Sequence, residues 1–155
     1  MTGQPSIFQT PQVAITNDDW YTPRWIFDTL EVEFDLDVAA PPGGVPWIPA
    51  QRVLTKAEDG LLADWEGRIW MNPPFSKTEP WVRKFVAHRQ GIALLPLGKN
   101  KWSDELWASD AHYVLLPSSL KFQKNGTPTG MMMSAVLVTF EDSLIAALSR
   151  IGKVR

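Results

Sequence analysis

The residues with the clearest chemical potential are Asn72, Pro73, Pro74 and Phe75, which directly follow an apolar run. Two prolines end a strand and hold a rigid turn, because proline has a fixed φ and no backbone N–H. The side-chain carbonyl of Asn72 and the backbone carbonyl of Pro73 suit the two hydrogens of one planar amino group. Such an amine is a poor nucleophile, and holding both hydrogens helps it to pyramidalise, while Phe75 offers a face for stacking. The motif predicts alkylation of an unreactive amine; the alternative is a simple strand terminator.

The elements that must position this turn are strands and helices in alternation. Runs that are apolar along their whole length are typical of buried parallel strands, and helical spacing separates them. The predicted strands span residues 32–40, 67–71, 91–97, 111–116 and 131–140, with a short extended piece at 52–56; the predicted helices span residues 23–30, 79–90, 103–109 and 142–151. Thr22 and Thr78 are predicted N-caps, and Pro23 is predicted to open the first helix. The pattern predicts a single-domain α/β fold, Rossmann-like and doubly wound around a mostly parallel sheet.

Three unusual segments follow strands of this predicted sheet, at residues 37–40, 58–61 and 72–75. Ligands of doubly wound sheets bind beyond the carboxyl ends of the strands. We therefore expect the three segments to converge and to form the site.

Length and composition limit the possible classes of protein. The chain has 155 residues, which fits one domain at residues 18–155 behind a flexible N-terminal segment at residues 1–17, with no separate recognition domain. It has no cysteine and two histidines, which argues against disulfides and metal sites. The N-terminus does not resemble a signal peptide, and no apolar run reaches the roughly 18 residues of a membrane span. A cytoplasmic protein without metal or membrane partners is expected.

Charge is distributed unevenly along the chain. Residues 1–67 hold three basic and eleven acidic residues, whereas residues 68–155 hold twelve basic and six acidic ones. A positive half can face a phosphate backbone even though the formal net charge is −2. The alternative is a random division of solvated charges.

Four motifs occur in a fixed order along the chain. They are DWYTP at residues 19–23, FDLDVAA at 34–40, AEDGLLADW at 57–65 and IWMNPPF at 69–75. In this order, over about residues 19–140, the set resembles the small Dam-like DNA N6-adenine methyltransferases of phages and prophages.

The resemblance implies a minimal class I methyltransferase fold, S-adenosylmethionine as methyl donor, and an adenine of DNA flipped towards Asn72. Asp37 would accept from the ammonium of the donor, Asp59 would hold the amino group of its adenine, and Leu61 would pack on that ring. The residues implied in donor binding are Trp20, Thr22, Pro23, Asp37, Ala39, Ala40, Asp59, Gly60 and Leu61, and the implied catalytic residues are Asn72, Pro73, Pro74 and Phe75. It also implies a phage or restriction-modification context and a monomer or homodimer.

DNA contacts are expected from basic residues in loops near the motif, at GKNKW and KFQKNGTPTG. The predicted contacts are Lys77, Lys99, Lys101, Lys121 and Lys124, with Arg83 and Lys84 nearby. Trp47 and Trp102 are candidates to wedge or stack where a base leaves the duplex.

Two alternatives keep the same motif. A glutamine amide of a protein also presents a planar amino group, so the chain is compatible with a protein-glutamine N5-methyltransferase. The other alternative is a catalytically inactive methyltransferase-like protein that binds DNA.

Overall fold

A computed structural model describes the backbone of residues 21–117, 121–124, 127–130 and 134–155, and the side chains of residues 21–117 and 134–155. The helices are α1 Arg24–Leu30, α2 Thr78–His88, α3 Lys101–Trp107 and α4 Ile145–Ser149. The strands are β1 Phe34–Asp37, β2 Ala50–Val53, β3 Ile69–Met71, β4 Gly91–Pro96, β5 His112–Leu115, β6 Lys121–Lys124, β7 Thr127–Gly130 and β8 Ala135–Thr139. Short 3₁₀ turns precede α2 and α4, at Phe75–Lys77 and Asp142–Leu144. The regular elements fall close to the predicted ones.

Six strands form one sheet in the order β2-β1-β3-β4-β8-β5. The pairs β1–β2, β1–β3 and β3–β4 are parallel, whereas β8 is antiparallel to both of its neighbours, β4 and β5. The prediction of an α/β fold is confirmed, and the sheet is mixed. A fully buried apolar run identifies a strand but does not encode its direction, so the antiparallel direction of β8 could not be predicted from its residues. The doubly wound, Rossmann-like arrangement stays a prediction.

A second, two-stranded sheet pairs β6 with β7 in antiparallel register. The sequence analysis assigned this stretch to a loop, and that assignment is wrong for the described strands. Lys121 and Lys124 are the first and last residues of β6 rather than loop residues. The signal for a hairpin was present, because Asn125-Gly126 stands between the two strands and this dipeptide favours tight hairpin turns.

The core lies on both faces of the six-stranded sheet. Trp70 and Leu94 pack with α1 and α4 on one face, whereas Met71 and Leu95 pack with α2 and α3 on the other. Successive residues of β3 and β4 thus serve opposite faces, as the pleat of a strand requires. All four side chains are fully buried, and Trp70 meets the ring of Phe27 edge-on at a centroid distance of 4.7 Å. This packing holds the carboxyl ends of the parallel strands rigidly beside one another.

None of the helices in the described part of the chain is long and apolar enough to cross a membrane. Likewise, the described histidines and carboxylates form no group of three or more that could hold a metal ion.

Candidate active site

The three predicted site segments meet at one edge of the sheet. Strands β1 and β3 run in parallel with Asp37 beside Trp70, so the residues that follow Asp37 lie level with Asn72. The third segment reaches the same place, because a Cβ added to Gly60 would stand 2.0 Å from the carbonyl oxygen of Val38. The expected convergence of these segments is present in the structure.

Asn72 follows the last residue of β3 and is anchored through its side-chain amide. Its Nδ2 donates to the hydroxyl of Thr22 over 3.3 Å, across 50 residues of sequence. Thr22 is fully buried, and its backbone carbonyl accepts from Nε1 of Trp47 over 2.7 Å. Thr22 and Trp47 together thus fix the position of the Asn72 side chain.

These contacts correct two sequence predictions. Thr22 does not cap α1; Pro23 is the N-cap residue and no side chain caps the helix there. The hydroxyl of Thr22 instead contacts the Asn-Pro-Pro-Phe motif. Pro23 is therefore not the first residue of α1 as predicted. Trp47 is half-buried against the core and bonded to Thr22, which gives it a structural role, and its role as a wedge for DNA stays a prediction.

The rest of the motif is fixed by backward hydrogen bonds from the start of α2. The carbonyl of Pro74 accepts from the N–H of Lys77 and from the hydroxyl of Thr78, and the carbonyl of Phe75 accepts from the same hydroxyl. Thr78 is therefore the first residue of α2 and not its N-cap as predicted. These bonds hold the turn rigidly against the start of α2.

Asp37 is a buried carboxyl group at the end of β1. It is 2% exposed, and its Oδ1 accepts from the N–H of Ala39 over 3.3 Å. Burial raises the pKa of Asp37 from 3.8 to about 7, although the Ala39 hydrogen bond opposes the shift. Among the described residues no cation forms an ion pair with it. Such a carboxyl group is stabilised in its charged form when a cationic ligand arrives.

Asp35 and Asp37 stand at alternate positions of β1. Asp35 is exposed and accepts from the N–H of Arg68 over 2.8 Å, which leaves it in a structural role. Only Asp37 is withdrawn from solvent at the strand end.

Residues 59–61 form a tight turn against the end of β1. Asp59 has a left-handed φ of 59°, and its Oδ1 accepts from the N–H of Leu61 over 3.1 Å. Asp59 and Leu61 are half-buried, while Gly60 is buried against Val38 and the ring of Trp81. An Asp-Gly turn and a ligand-binding role for Asp59 are compatible, because the turn fixes the direction of the side chains of Asp59 and Leu61.

Gly60→Ala should destabilise the protein by about 1–3 kcal/mol, because the added methyl group overlaps the Val38 carbonyl. Thermal and urea unfolding would measure the loss. Gly43→Ala is the matched control: Gly43 has a φ of 81° but no atom within 4 Å of the added Cβ, so only backbone strain changes there. A Gly60→Ala protein as stable as the wild type would contradict the close approach.

A cleft of about 540 Å³ opens between the end of the motif and the segment that links β4 to α3. Its walls are residues 75–80 on one side and Pro96, Leu97, Gly98, Asn100 and Trp102 on the other. The size is within the range of small-molecule sites. The rings of Phe75 and Trp102 contribute aromatic surface, and Trp102 is otherwise buried. The link between β4 and α3 is itself rigid, because the buried Ser103 hydroxyl bonds the carbonyls of Gly98 and Asn100.

The basic residues near the motif divide into two groups. Arg83 pairs with Glu79 and Glu105, and the ammonium of Lys84 is bonded to backbone carbonyls, so neither projects as an unpaired cation. The exposed group, without ion pairs to described residues, is Lys77, Lys99 and Lys101. Lys77 lines the cleft, and the other two flank Asn100, which also lines it. Lys77 therefore lies at the cleft, and Lys99 and Lys101 lie next to one of its lining residues.

The structure is a mixed α/β sheet that carries a nucleotide-sized candidate site at its strand ends. This candidate site combines the anchored Asn-Pro-Pro-Phe turn with the buried carboxyl group at the end of the neighbouring strand. The family model described as DNA N-6-adenine-methyltransferase (Dam) matches residues 9–118, and the chain belongs to this family. No curated protein and no solved structure matches the chain.

Of the predicted site residues, Trp20 lies outside the described residues, as do the side chains of Lys121 and Lys124. The sequence analysis missed the anchoring of Thr22 by Trp47 and the internal role of Lys84. Neither has a local signal, because the partners lie 25 and 21–24 residues away in sequence.

Proposed function

We propose that this protein transfers a methyl group from S-adenosylmethionine to the N6 amine of an adenine flipped out of DNA, on a minimal class I methyltransferase fold. The observation that carries the proposal is the anchored Asn72 turn, which stands beside a cleft at the same sheet edge as the buried Asp37. Family membership supports adenine methylation in general, and the rigid turn supports the particular role of the motif.

The donor side consists of the ends of β1 and β3 and the turn at residues 59–61. A buried carboxyl group with a raised pKa and no cationic partner among described residues fits the ammonium of an amino acid. We assign Asp37 to bind that ammonium, and Asp59 and Leu61 to bind the adenine of the donor. The small side chains of Ala39 and Ala40 allow the donor to come close to the backbone. The residues that would surround the donor are Thr22, Pro23, Asp37, Ala39, Ala40, Asp59, Gly60 and Leu61, together with Trp20 from the sequence. When bound, S-adenosylmethionine supplies an electrophilic methyl group.

The target side consists of Asn72, Pro73 and the cleft beside Phe75. The side-chain oxygen of Asn72 and the carbonyl of Pro73 accept the two hydrogens of the exocyclic amine, which frees the nitrogen lone pair from the ring. The same two oxygens stabilise the positive charge that develops as the nitrogen–carbon bond forms. The methyl–sulfur bond of the donor would break in the same step, which would leave the neutral thioether S-adenosylhomocysteine, and one amine proton would then leave to water. Phe75 stacks on the purine, and Pro74 keeps the turn rigid.

DNA contacts are assigned to lysines of the described fold. Lys77 at the cleft, with Lys99 and Lys101 on either side of Asn100, neutralises phosphates next to the flipped base, and Lys121 and Lys124 of β6 add further contacts. The class I arrangement is supported by the sheet order and by helices that pack on both faces.

Incubating the purified protein with radiolabelled donor and unmethylated DNA, followed by digestion to nucleosides, tests the function. We expect N6-methyladenine to appear with the wild-type protein and not with Asn72→Ala. Label in protein glutamine instead of DNA would support the glutamine alternative. Donor binding that is absent by calorimetry would support the inactive DNA-binding alternative.

A further inference from the structure

Lys84 lies in the middle of α2, and its ammonium group is directed at the backbone of residues 60–63. Nζ donates to the carbonyl of Gly60 over 3.1 Å, to that of Leu61 over 3.0 Å, and to that of Ala63. An ammonium group has three donors and no acceptor, so these three carbonyls saturate it. The side chain is half-buried.

Two tryptophans also take part in the contact between α2 and residues 60–63. Nε1 of Trp65 donates to the carbonyl of Gly60 over 2.7 Å, and the ammonium of Lys84 stands 4.8 Å from the Trp65 ring centroid. The rings of Trp65 and Trp81 are stacked with centroids 6.4 Å apart, and Gly60 lies against Trp81. Residues 60–63 belong to no helix or strand. Their turn is closed by the N–H groups of Leu62 and Ala63, which donate to the carbonyl of Asp59, and the contacts with α2 and these rings hold it against the rest of the fold.

Three carbonyl oxygens that converge on one point repel each other unless a cation lies between them. Burial lowers the pKa of Lys84, whereas the charges of Asp64 and Asp59 raise it. The group that would satisfy all three oxygens cannot at the same time contact a phosphate. Lys84 therefore differs in kind from the exposed lysines around the cleft.

We propose that Lys84 is a positioning residue of the donor site: its ammonium group holds residues 60–63 so that Asp59 and Leu61 face the donor, and it does not contact DNA. This inference rests on the proposed function, because it takes the turn at residues 59–61 as the support of the donor adenine. Lys84 thus contributes to the binding of the donor and not to the binding of DNA.

Calorimetric titration of S-adenosylmethionine into Lys84→Met is the first test. We expect a donor Kd raised by about tenfold or more, as loss of several charge-assisted hydrogen bonds implies. The methyl-transfer rate at saturating donor should change by less than about threefold, because the reacting groups are untouched. Arg83→Met, which removes a surface cation from the neighbouring position, is the control and should leave the donor Kd unchanged.

Chemical rescue guards against a variant that simply folds poorly. The chain has no cysteine, so Lys84→Cys can be alkylated at that position alone with 2-bromoethylamine, which restores an ammonium on a side chain of lysine length. We expect the unmodified Lys84→Cys to bind the donor as weakly as Lys84→Met and the alkylated protein to recover at least half of the lost binding free energy. Failure of the restored ammonium to improve donor binding in a folded protein would overturn the inference.

The salt dependence of DNA binding separates the two kinds of lysine. A phosphate contact adds about −0.9 to the slope of log K against log salt concentration, so Lys77→Met should reduce the magnitude of the slope by about one. Lys84→Met should leave the slope unchanged, and a reduction equal to that of Lys77→Met would overturn the inference.

The same measurements distinguish this inference from the proposed function. Wild-type protein that binds no donor overturns both. Wild-type protein that binds the donor, together with Lys84→Met that binds it equally well, overturns only the role of Lys84.

Discussion

Asn72→Ala should lower the single-turnover rate of methyl transfer to DNA by about 10²–10³-fold or more, while the donor Kd changes by less than about threefold. The reason is that the side-chain oxygen of Asn72 acts on charge that appears only as the nitrogen–carbon bond forms, whereas the buried carboxyl group assigned to the donor belongs to another strand. Rapid-quench kinetics and calorimetry measure the two quantities separately.

Asn72→Asp is the matched control for that substitution. A carboxylate keeps an acceptor oxygen at the same position, and the hydroxyl of Thr22 can donate to it where it now accepts. We expect Asn72→Asp to retain at least about tenfold more activity than Asn72→Ala, because it preserves the side-chain acceptor for the amine that Asn72→Ala loses. Equal losses of donor binding and of transfer rate in Asn72→Ala would contradict the assigned role.

The affinity for S-adenosylmethionine should rise by about tenfold between pH 5 and pH 6, and less steeply as the pH approaches 7. Burial raises the pKa of Asp37 to about 7, so the carboxyl group is mostly protonated below that pH and must lose a proton to face the ammonium of the donor. Binding near neutrality should therefore release a proton, which calorimetry in buffers of different ionisation enthalpy detects. Wild-type affinity that is constant from pH 5 to pH 7 would exclude Asp37 from the donor site.

Asp37→Asn separates the contribution of this residue to binding from its contribution to stability. It should weaken donor binding by about 10–100-fold at pH 8 and abolish the pH dependence of binding.

The same substitution should change the stability of the protein. The folded-state pKa of Asp37 lies above its ordinary 3.8, so the folded protein holds more protons than the unfolded chain between pH 4 and pH 7. The free energy of unfolding consequently falls as pH rises through that window, and Asn should restore up to about 3–4 kcal/mol at pH 8 but little at pH 4. A lower melting temperature for Asp37→Asn at pH 8 would contradict the raised pKa.

The regular elements were predictable because their signals are local. Helix α2 carries apolar residues at helical spacing, and the predicted residues 79–90 became Thr78–His88. Strand β4 is an unbroken apolar run, and it is fully buried as such runs predict. The strand-end rule for parallel sheets correctly brought the residues after Asp37 level with Asn72.

The features that the sequence did not predict depend on partners distant in the chain. Nothing near Thr22 indicates that its hydroxyl meets an amide 50 residues later and not the start of its own helix. The burial of Asp37 and the exposure of Asp35 are likewise not visible in Phe-Asp-Leu-Asp, because both aspartates stand at alternate positions of one strand. Lys84 has the composition of a surface cation, and only the packed loop shows that it is not one. The functional roles of the site residues themselves stay predictions.

Helix α2 touches both halves of the proposed site: its first turn lines the cleft, and one turn and a half further on Lys84 holds the turn at residues 60–63. A small shift of α2 when a ligand binds to either half of the site would therefore change the geometry of the other half. Thermodynamic reciprocity then requires two factors to be equal: the factor by which bound donor changes the affinity for DNA, and the factor by which bound DNA changes the affinity for the donor. Measured in both orders, the two factors should agree, and a value above one would make the ternary complex form preferentially over either binary complex.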